Sequence, residues 1–247
     1  MSEKPLNISH AIILAAGLGK RMRPLTDKIP KPMLELCGQP LINHILDRLE
    51  DSEVSSVVVN TFYMAEVIAN FLTSRPSPYT KVIRESILLD TGGGVKNALS
   101  LLGNSAFFAI NSDSFWLNGP SDTLTRMKQI WNEDKMDGLL LLHSTVNAYG
   151  YSGRGDFKIR PTGQLIRRTE QEVCPFTFTG IQILHSRLFK IENDGAFSLN
   201  IVYDHAIKNG RLYGIVHDGE WFHIGTPKGL FDAEKYLTQR NAGVKHR

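Results

Sequence analysis

An apolar run at 11–14 ends abruptly in Ala15-Ala16-Gly17-Leu18-Gly19, and the next residues crowd Lys20, Arg21 and Arg23 into one short loop. Lys31 follows between Pro30 and Pro32, which should hold it extended. Few folds accommodate a buried strand that opens this way. Such a strand delivers bare backbone N–H groups and fixed cations to one sheet edge, which is what a polyphosphate requires. The loop therefore reads as part of an enzyme acting on a nucleoside triphosphate.

Two better-known phosphate loops are excluded by spacing. A dinucleotide fingerprint needs a third glycine three residues after Gly19, where Met22 stands, and an acidic residue after the next strand, where the chain has Asn60. A P-loop needs Ser or Thr after Gly19-Lys20, and Arg21 stands there.

Along the chain, short β-rich runs at 11–15, 55–60, 81–84, 107–111 and 138–143 alternate with segments apolar at three- and four-residue spacing, at 40–49, 63–72, 94–102 and 124–132. That alternation predicts an α/β fold: a Rossmann-like, mostly parallel mixed sheet with helices on both faces. After Tyr149 the pattern changes. A hairpin is expected from 157–160 and 164–169 around Pro161-Thr162-Gly163, with strands at 177–184, 212–216 and 221–224. Helices are expected at 197–209 and 229–240, with a frayed polar tail at 241–247. No linker or repeat interrupts the 247 residues. One domain is expected, with a nucleotide-binding part near 8–145, a small β insert for a sugar near 146–226, and a C-terminal helix near 227–240.

A net charge of +3 is too small and dispersed to argue for nucleic acid. No window reaches the roughly 18–20 apolar residues of a membrane helix, and the run at 11–14 is too short for a signal peptide. Two separated cysteines, Cys37 and Cys174, suit a reducing compartment, so a cytoplasmic location is expected.

The string Leu-Ala-Ala-Gly-x-Gly-x-Arg-x-x-Pro-x-Thr, then Pro-Lys-Pro-Met and Gly38-Gln39-Pro40-Leu41-Ile42, resembles the sugar-1-phosphate nucleotidyltransferases. The resemblance implies attack of a sugar 1-phosphate on the α-phosphorus of a nucleoside triphosphate, with release of pyrophosphate. In-line displacement needs positioning and charge neutralisation. Arg21, a planar fork, and Lys31, a point charge, are the expected catalytic pair. Leu14, Ala15, Ala16, Gly17, Gly19 and Lys20 are expected around the nucleotide.

By the same resemblance, Thr91-Gly92-Gly93-Gly94, placed before a helix starting near Val95, is where the base would lie, with Gly92 and Gly93 under the ring and Glu85 facing it. Phe107 to Asp113 is an apolar strand ending in a carboxylate: Asp113 matches a metal-binding aspartate, and Asn111 a nucleotide contact. The expected second metal aspartate is replaced by His223 in Trp221-Phe222-His223-Ile224-Gly225-Thr226-Pro227. The expected cofactor is a divalent metal, Mg²⁺, with Mn²⁺ or Co²⁺ favoured by an imidazole ligand. His223 could ligate it, orient solvent beside it, or only hydrogen-bond nearby groups.

Gly155-Asp156-Phe157, Phe176 to Ile181 and Phe197 to Asn200 resemble the short bacterial members, which include N-acetylmuramate-1-phosphate uridylyltransferases. Asp156 and Glu170 are then expected to bind the sugar, and Gly180 to leave room for its ring substituent. UTP with N-acetylmuramate 1-phosphate is the leading pair. The alternatives are a mannose-1-phosphate guanylyltransferase, a cytidylyltransferase acting on a phosphorylated alcohol, and a non-catalytic nucleotide-sugar sensor. His223 favours the sensor; retention of Gly19, Arg21, Lys31 and Asp113 together argues against it. The chain is expected to work as a monomer or small homo-oligomer.

Overall fold

The computed structural model describes residues 8–190 and 194–244. From the N-terminus come β1 (His10–Leu14), a short hairpin of β2 (Glu35–Leu36) and β3 (Gln39–Pro40), then α1 (Leu41–Asp51) and β4 (Ser56–Thr61). Next are α2 (Ala65–Thr73), β5 (Tyr79–Arg84), α3 (Asp90–Leu102), β6 (Ala106–Asn111), β7 (Ser114–Leu117) and α4 (Thr123–Ile130). The second half holds β8 (Gly138–Ser144), β9 (Phe157–Ile159), β10 (Leu165–Arg167), β11 (Phe176–His185), α5 (Leu199–Lys208), β12 (Leu212–Val216), β13 (Glu220–His223) and α6 (Pro227–Val244).

Among the described residues, nine strands form one mixed sheet. Its nucleotide half is parallel, with β1 between β4 and β6, and β5 outside β4. β11 runs antiparallel to β6 on one edge and to β8 on the other, and β12 lies parallel to β8. The β9–β10 hairpin extends the same edge of β11 beyond the end of β6, where Phe157 pairs with Phe176. The α/β class and the mixed central sheet expected from the alternation are both present.

Alternation along β1 explains the two helical layers. Ala11 and Ile13 pack with α1, α2 and α4, through Ile42, Ile45, Leu46, Ile68, Leu72, Leu124 and Met127. Ile12 faces the opposite layer with Val95 and Ala98 of α3 and Val202 and Ala206 of α5. Successive strand side chains point to opposite faces, so the apolar run 11–14 of β1 must be covered on both. Caps stop the helices from invading the loops: Asp122 accepts from Thr125 N (2.8 Å), and Ser198 from Asn200 N (3.2 Å).

Four expectations change. α3 begins at Asp90 rather than near Val95, so Gly92 and Gly93 lie in its first turn. Crowding is the reason: both amides donate to Phe197 O (2.8 and 3.0 Å), a Cβ on Gly92 would lie 2.4 Å from the Phe197 ring, and one on Gly93 2.3 Å from Gly195 O. Close packing outweighs the ~1 kcal/mol that each glycine forfeits against alanine in a helix. Lys31 is not extended. It opens one 3-10 turn, Lys31–Met33, closed by Met33 N to Pro30 O (2.9 Å). The segment at 221–224 joins β7 in a separate two-stranded sheet. Finally, α6 continues through the start of the expected frayed tail to Val244, and 245–247 lie outside the described residues.

Among the described residues, no helix is long and apolar enough to cross a membrane.

Candidate active site

The C-terminal ends of β1, β4 and β6 open on one cavity of about 650 Å³, the edge at which open α/β sheets bind ligands. Leu14, Ala16, Gly17, Gly19, Lys20, Arg21 and Lys31 line it, as do Asn111 and Asp113. Ala15 lies beneath, buried, its amide bonded to Asn60. The loop is shaped by Gly19, whose φ of 62° is left-handed. Its carbonyl takes bonds from Met22 N (2.8 Å) and from the hydroxyl of Thr26 (2.9 Å). A Cβ on Gly19 would lie 2.9 Å from Thr26 Cγ2, so a side chain at 19 would crowd Thr26. Arg21 is exposed on the turn that follows.

Lys31 and Asp113, 82 positions apart in sequence, meet at 2.5 Å between Nζ and Oδ2. Both side chains are largely shielded from water. Asp113 stands in the turn between β6 and β7, and the register of β13 on β7 places His223 opposite Ser114, one residue away. Gly225 leaves space for the ring: a Cβ there would lie 2.4 Å from His223 Nε2. Tyr151 meets that ring edge-on at 6.0 Å. Burial pushes the His223 pKa below its usual value, Asp113 pulls it up, and the Lys31 and Arg21 cations push it further down. The imidazole is therefore neutral near pH 7, with a nitrogen lone pair to offer.

No group of three or more His, Cys, Asp or Glu is gathered for a metal among the described residues. Asp113 and His223 supply two donors at most. That set fits an ion whose remaining ligands are phosphate oxygens, and its imidazole nitrogen suits Mn²⁺ or Co²⁺ better than Mg²⁺.

The residues expected to hold base and sugar have partners within the protein. Glu85 is buried, with Oε1 accepting from Asn60 Nδ2 (2.7 Å) and Oε2 from Leu89 N (3.0 Å). Gly92 and Gly93 turn their amides to Phe197, and the cavity wall at α3 is made by Leu88, Asp90 and Thr91. Asp156 is half-buried at the hairpin, and its Oδ2 accepts from Thr177 Oγ1 and Phe178 N, both at 2.8 Å. Glu170 is exposed in the turn after β10, where its carbonyl accepts from Arg168 (3.1 Å). Gly180 is not open space. A Cβ there would meet Ser114 Oγ at 2.4 Å and Asn111 Nδ2 at 2.8 Å, and its φ is 84°. Its smallness lets β11 approach the Asp113 turn. Sequence reasoning missed Asn60 and Thr26 as shapers of the loop. Thr26 closes the quoted motif and was the one available signal.

A family model described as Nucleotidyl transferase matches residues 10–240. The chain belongs to the nucleotidyl transferase family. Among curated relatives, N-acetylmuramate alpha-1-phosphate uridylyltransferase of Caulobacter vibrioides is 35% identical over 97% of this chain and 100% of its own. The protein of the same name from Neisseria meningitidis is 32% identical over 91% and 96%. Among solved structures, UDP-glucose pyrophosphorylase complexed with UDP-glucose superposes with a TM-score of 0.78 at 16% identity, covering 94% of this chain and 99% of that one. The resemblance to sugar-1-phosphate nucleotidyltransferases, drawn from the motif, and the enzyme class with it, both hold for this nucleotidyltransferase.

Proposed function

We propose that this nucleotidyltransferase moves a uridylyl group from UTP to N-acetylmuramate 1-phosphate in the cytoplasm, giving the UDP-sugar and pyrophosphate. The observation that supports the substrates is the 35% identity to the Caulobacter vibrioides uridylyltransferase, which spans nearly all of this chain and all of that one. For the chemistry, the support is that Arg21, Lys31 and Asp113 line the cavity together and that their charges act on the nearby His223.

An oxygen of the sugar phosphate attacks the α-phosphorus, and the bond to the bridging oxygen of pyrophosphate breaks. Negative charge accumulates on the leaving group, so preplaced cations lower the barrier. Arg21 binds the outer phosphates through its planar fork. Lys31 has three donors: one stays on Asp113, which fixes the ammonium, and the others reach the α-phosphate and the incoming phosphate. Asp113 and His223 would hold a divalent ion, which supplies charge neutralisation to the phosphates when bound. Asp156, oriented by Thr177 and Phe178, accepts from sugar hydroxyls.

Pyrophosphate release measured across four nucleoside triphosphates, a panel of sugar 1-phosphates and Mg²⁺, Mn²⁺ or Co²⁺ tests the reading. UTP with N-acetylmuramate 1-phosphate should turn over fastest. Faster release from GTP with mannose 1-phosphate would replace the substrates and leave the reaction. Binding of UDP-sugars with no release from any pair would replace the reaction itself.

A further inference from the structure

Glu85 sits just past the end of β5, buried to 7% exposure, and Asn60, at 2%, lies near the end of β4 one strand away. Glu85 Oε1 accepts from Asn60 Nδ2 at 2.7 Å, and Asn60 Oδ1 accepts from Ala15 N at 3.0 Å. Glu85 Oε2 accepts from Leu89 N at 3.0 Å. The chain of bonds runs behind the cavity wall, in which Asn60 stands, and its two ends are flanked by lining residues. Ala15 lies between Leu14 and Ala16 at the root of the phosphate loop, and Leu89 lies between Leu88 and Asp90 at the mouth of α3. We infer that Glu85 is a positioning residue: acting through Asn60, it ties the phosphate loop to the entrance of α3 and so sets the width of the nucleotide cleft. The inference rests on the reading that this cavity holds the nucleoside triphosphate.

The polarity of the bonds dictates the residue types. Ala15 N–H and Leu89 N–H are fixed donors. Ala15 N–H is shared between the main-chain oxygen of Asn60 at 3.2 Å and its Oδ1 at 3.0 Å, so Asn60 turns its carbonyl to Ala15 and its amide to Glu85, and the side chain at 85 must accept twice. A carboxylate offers one oxygen to each donor; an amide has a single oxygen and would turn its NH₂ on the other donor. Gly94 answers to the same link, because a Cβ there would lie 2.6 Å from Asn60 Nδ2 and 3.0 Å from Glu85 Oε1. The third glycine of the cluster thus makes room for the tie. The α3 entrance also needs holding: Asp90, next to Leu89, has a φ of 58°, an uncommon conformation for a residue with a side chain.

The test uses Glu85→Gln, Asn60→Asp and the double variant, each assayed for kcat, for KM of nucleotide and of sugar 1-phosphate, and for unfolding temperature. In Glu85→Gln one fixed donor faces the new NH₂, and in Asn60→Asp two carboxylates meet. Each should raise KM for the nucleotide about 10- to 100-fold, the range for one mispaired buried polar group, and leave KM for the sugar phosphate unchanged. The double variant restores every bond with the polarity between the two side chains reversed. The new amide at position 85 donates its NH₂ to the new carboxylate at position 60, and its carbonyl accepts from Leu89 N. The other oxygen of that carboxylate accepts from Ala15 N. The double variant should bring KM for the nucleotide back to within about threefold of the native value, the signature of directly coupled residues.

A double variant as weak as Glu85→Gln would overturn the positioning role. It falls equally if both KM values and the unfolding temperature move together. Equilibrium binding of UTP, ATP, GTP and CTP to the native protein separates the two levels. No binding by the native protein would sink the nucleotide reading and this inference with it. Native binding without rescue would sink the inference alone.

Discussion

Gly180→Ala discriminates between two accounts of one residue. Gly180 lies on β11 between Phe178 and Gln182, where the register against β8 shifts. An added Cβ would sit 2.4 Å from Ser114 Oγ, 2.8 Å from Asn111 Nδ2 and 3.0 Å from Asn111 Cβ. The backbone at φ 84° is itself unfavourable for alanine, by about 1–2 kcal/mol. Overpacking a tight contact adds roughly 1–3 kcal/mol. Ser114 cannot yield freely, because its hydroxyl donates to Thr179 O at 2.9 Å. Together these terms predict a loss of about 2–5 kcal/mol, equivalent to a fall in unfolding temperature of roughly 6–12 °C for a middle value of ~3 kcal/mol in a chain of this size. Asn111 and Ser114 flank Asp113, so kcat should fall as well, whichever acceptor is used. Thermal and urea unfolding, paired with pyrophosphate release, measure both effects. A variant within about 1 kcal/mol of the parent, weakened only in KM for the sugar phosphate, would refute the packing argument and return Gly180 to the sugar.

Arg21→Ala and Lys31→Ala should each lower kcat by on the order of 10²–10³ in the pyrophosphate assay, as removed charge-stabilising donors do, and near-native turnover in either would remove it from catalysis. His223→Asp should keep activity and move metal preference from Mn²⁺ or Co²⁺ toward Mg²⁺, read by titrating each ion; an unchanged preference would place His223 away from the ion. His217 bears on stability. Burial, and then the neighbouring His143, push its pKa down to about 4, and its side chain is fully buried. The unfolded chain takes up this proton below about pH 6.5 and the folded chain does not, so stability is complete above pH 6.5 and declines as the pH falls toward 4. A gap of about 2.5 units predicts a loss of ~3 kcal/mol by urea unfolding, and a His217→Asn variant with the same pH slope would contradict the assignment.

The phosphate loop could be read directly because its physics is local. A strand's apolar run, two glycines and a clutch of cations are consecutive residues, and Gly19 needs its left-handed turn whatever surrounds it. The strand-helix alternation and the β9–β10 hairpin were equally legible, since periodicity and turn residues act over a few positions. The misplacements have the opposite cause. Gly92 and Gly93 read as an opening before a helix, yet they lie inside one, because the segment 195–197 packs on them from a hundred residues away. Gly180 read as empty space for the same reason in reverse: Asn111 and Ser114 fill it.

By itself the sequence determined the family, the α/β alternation and the types of chemical group available: two candidate cations, a strand-end aspartate and an imidazole where a carboxylate was expected. Only the tertiary structure decided which of these meet. Lys31 reaches Asp113 across 82 residues because β1 and β6 pair in parallel, and both open at the same edge of the sheet. His223 reaches the same point through the register of β13 on β7, a property of two strands that share no stretch of sequence. Glu85 is turned inward because the Asn60 side-chain amide and the Leu89 N–H both donate there, and a buried carboxylate must take such partners. Residue type sets what a group can do, but register and packing set what it touches.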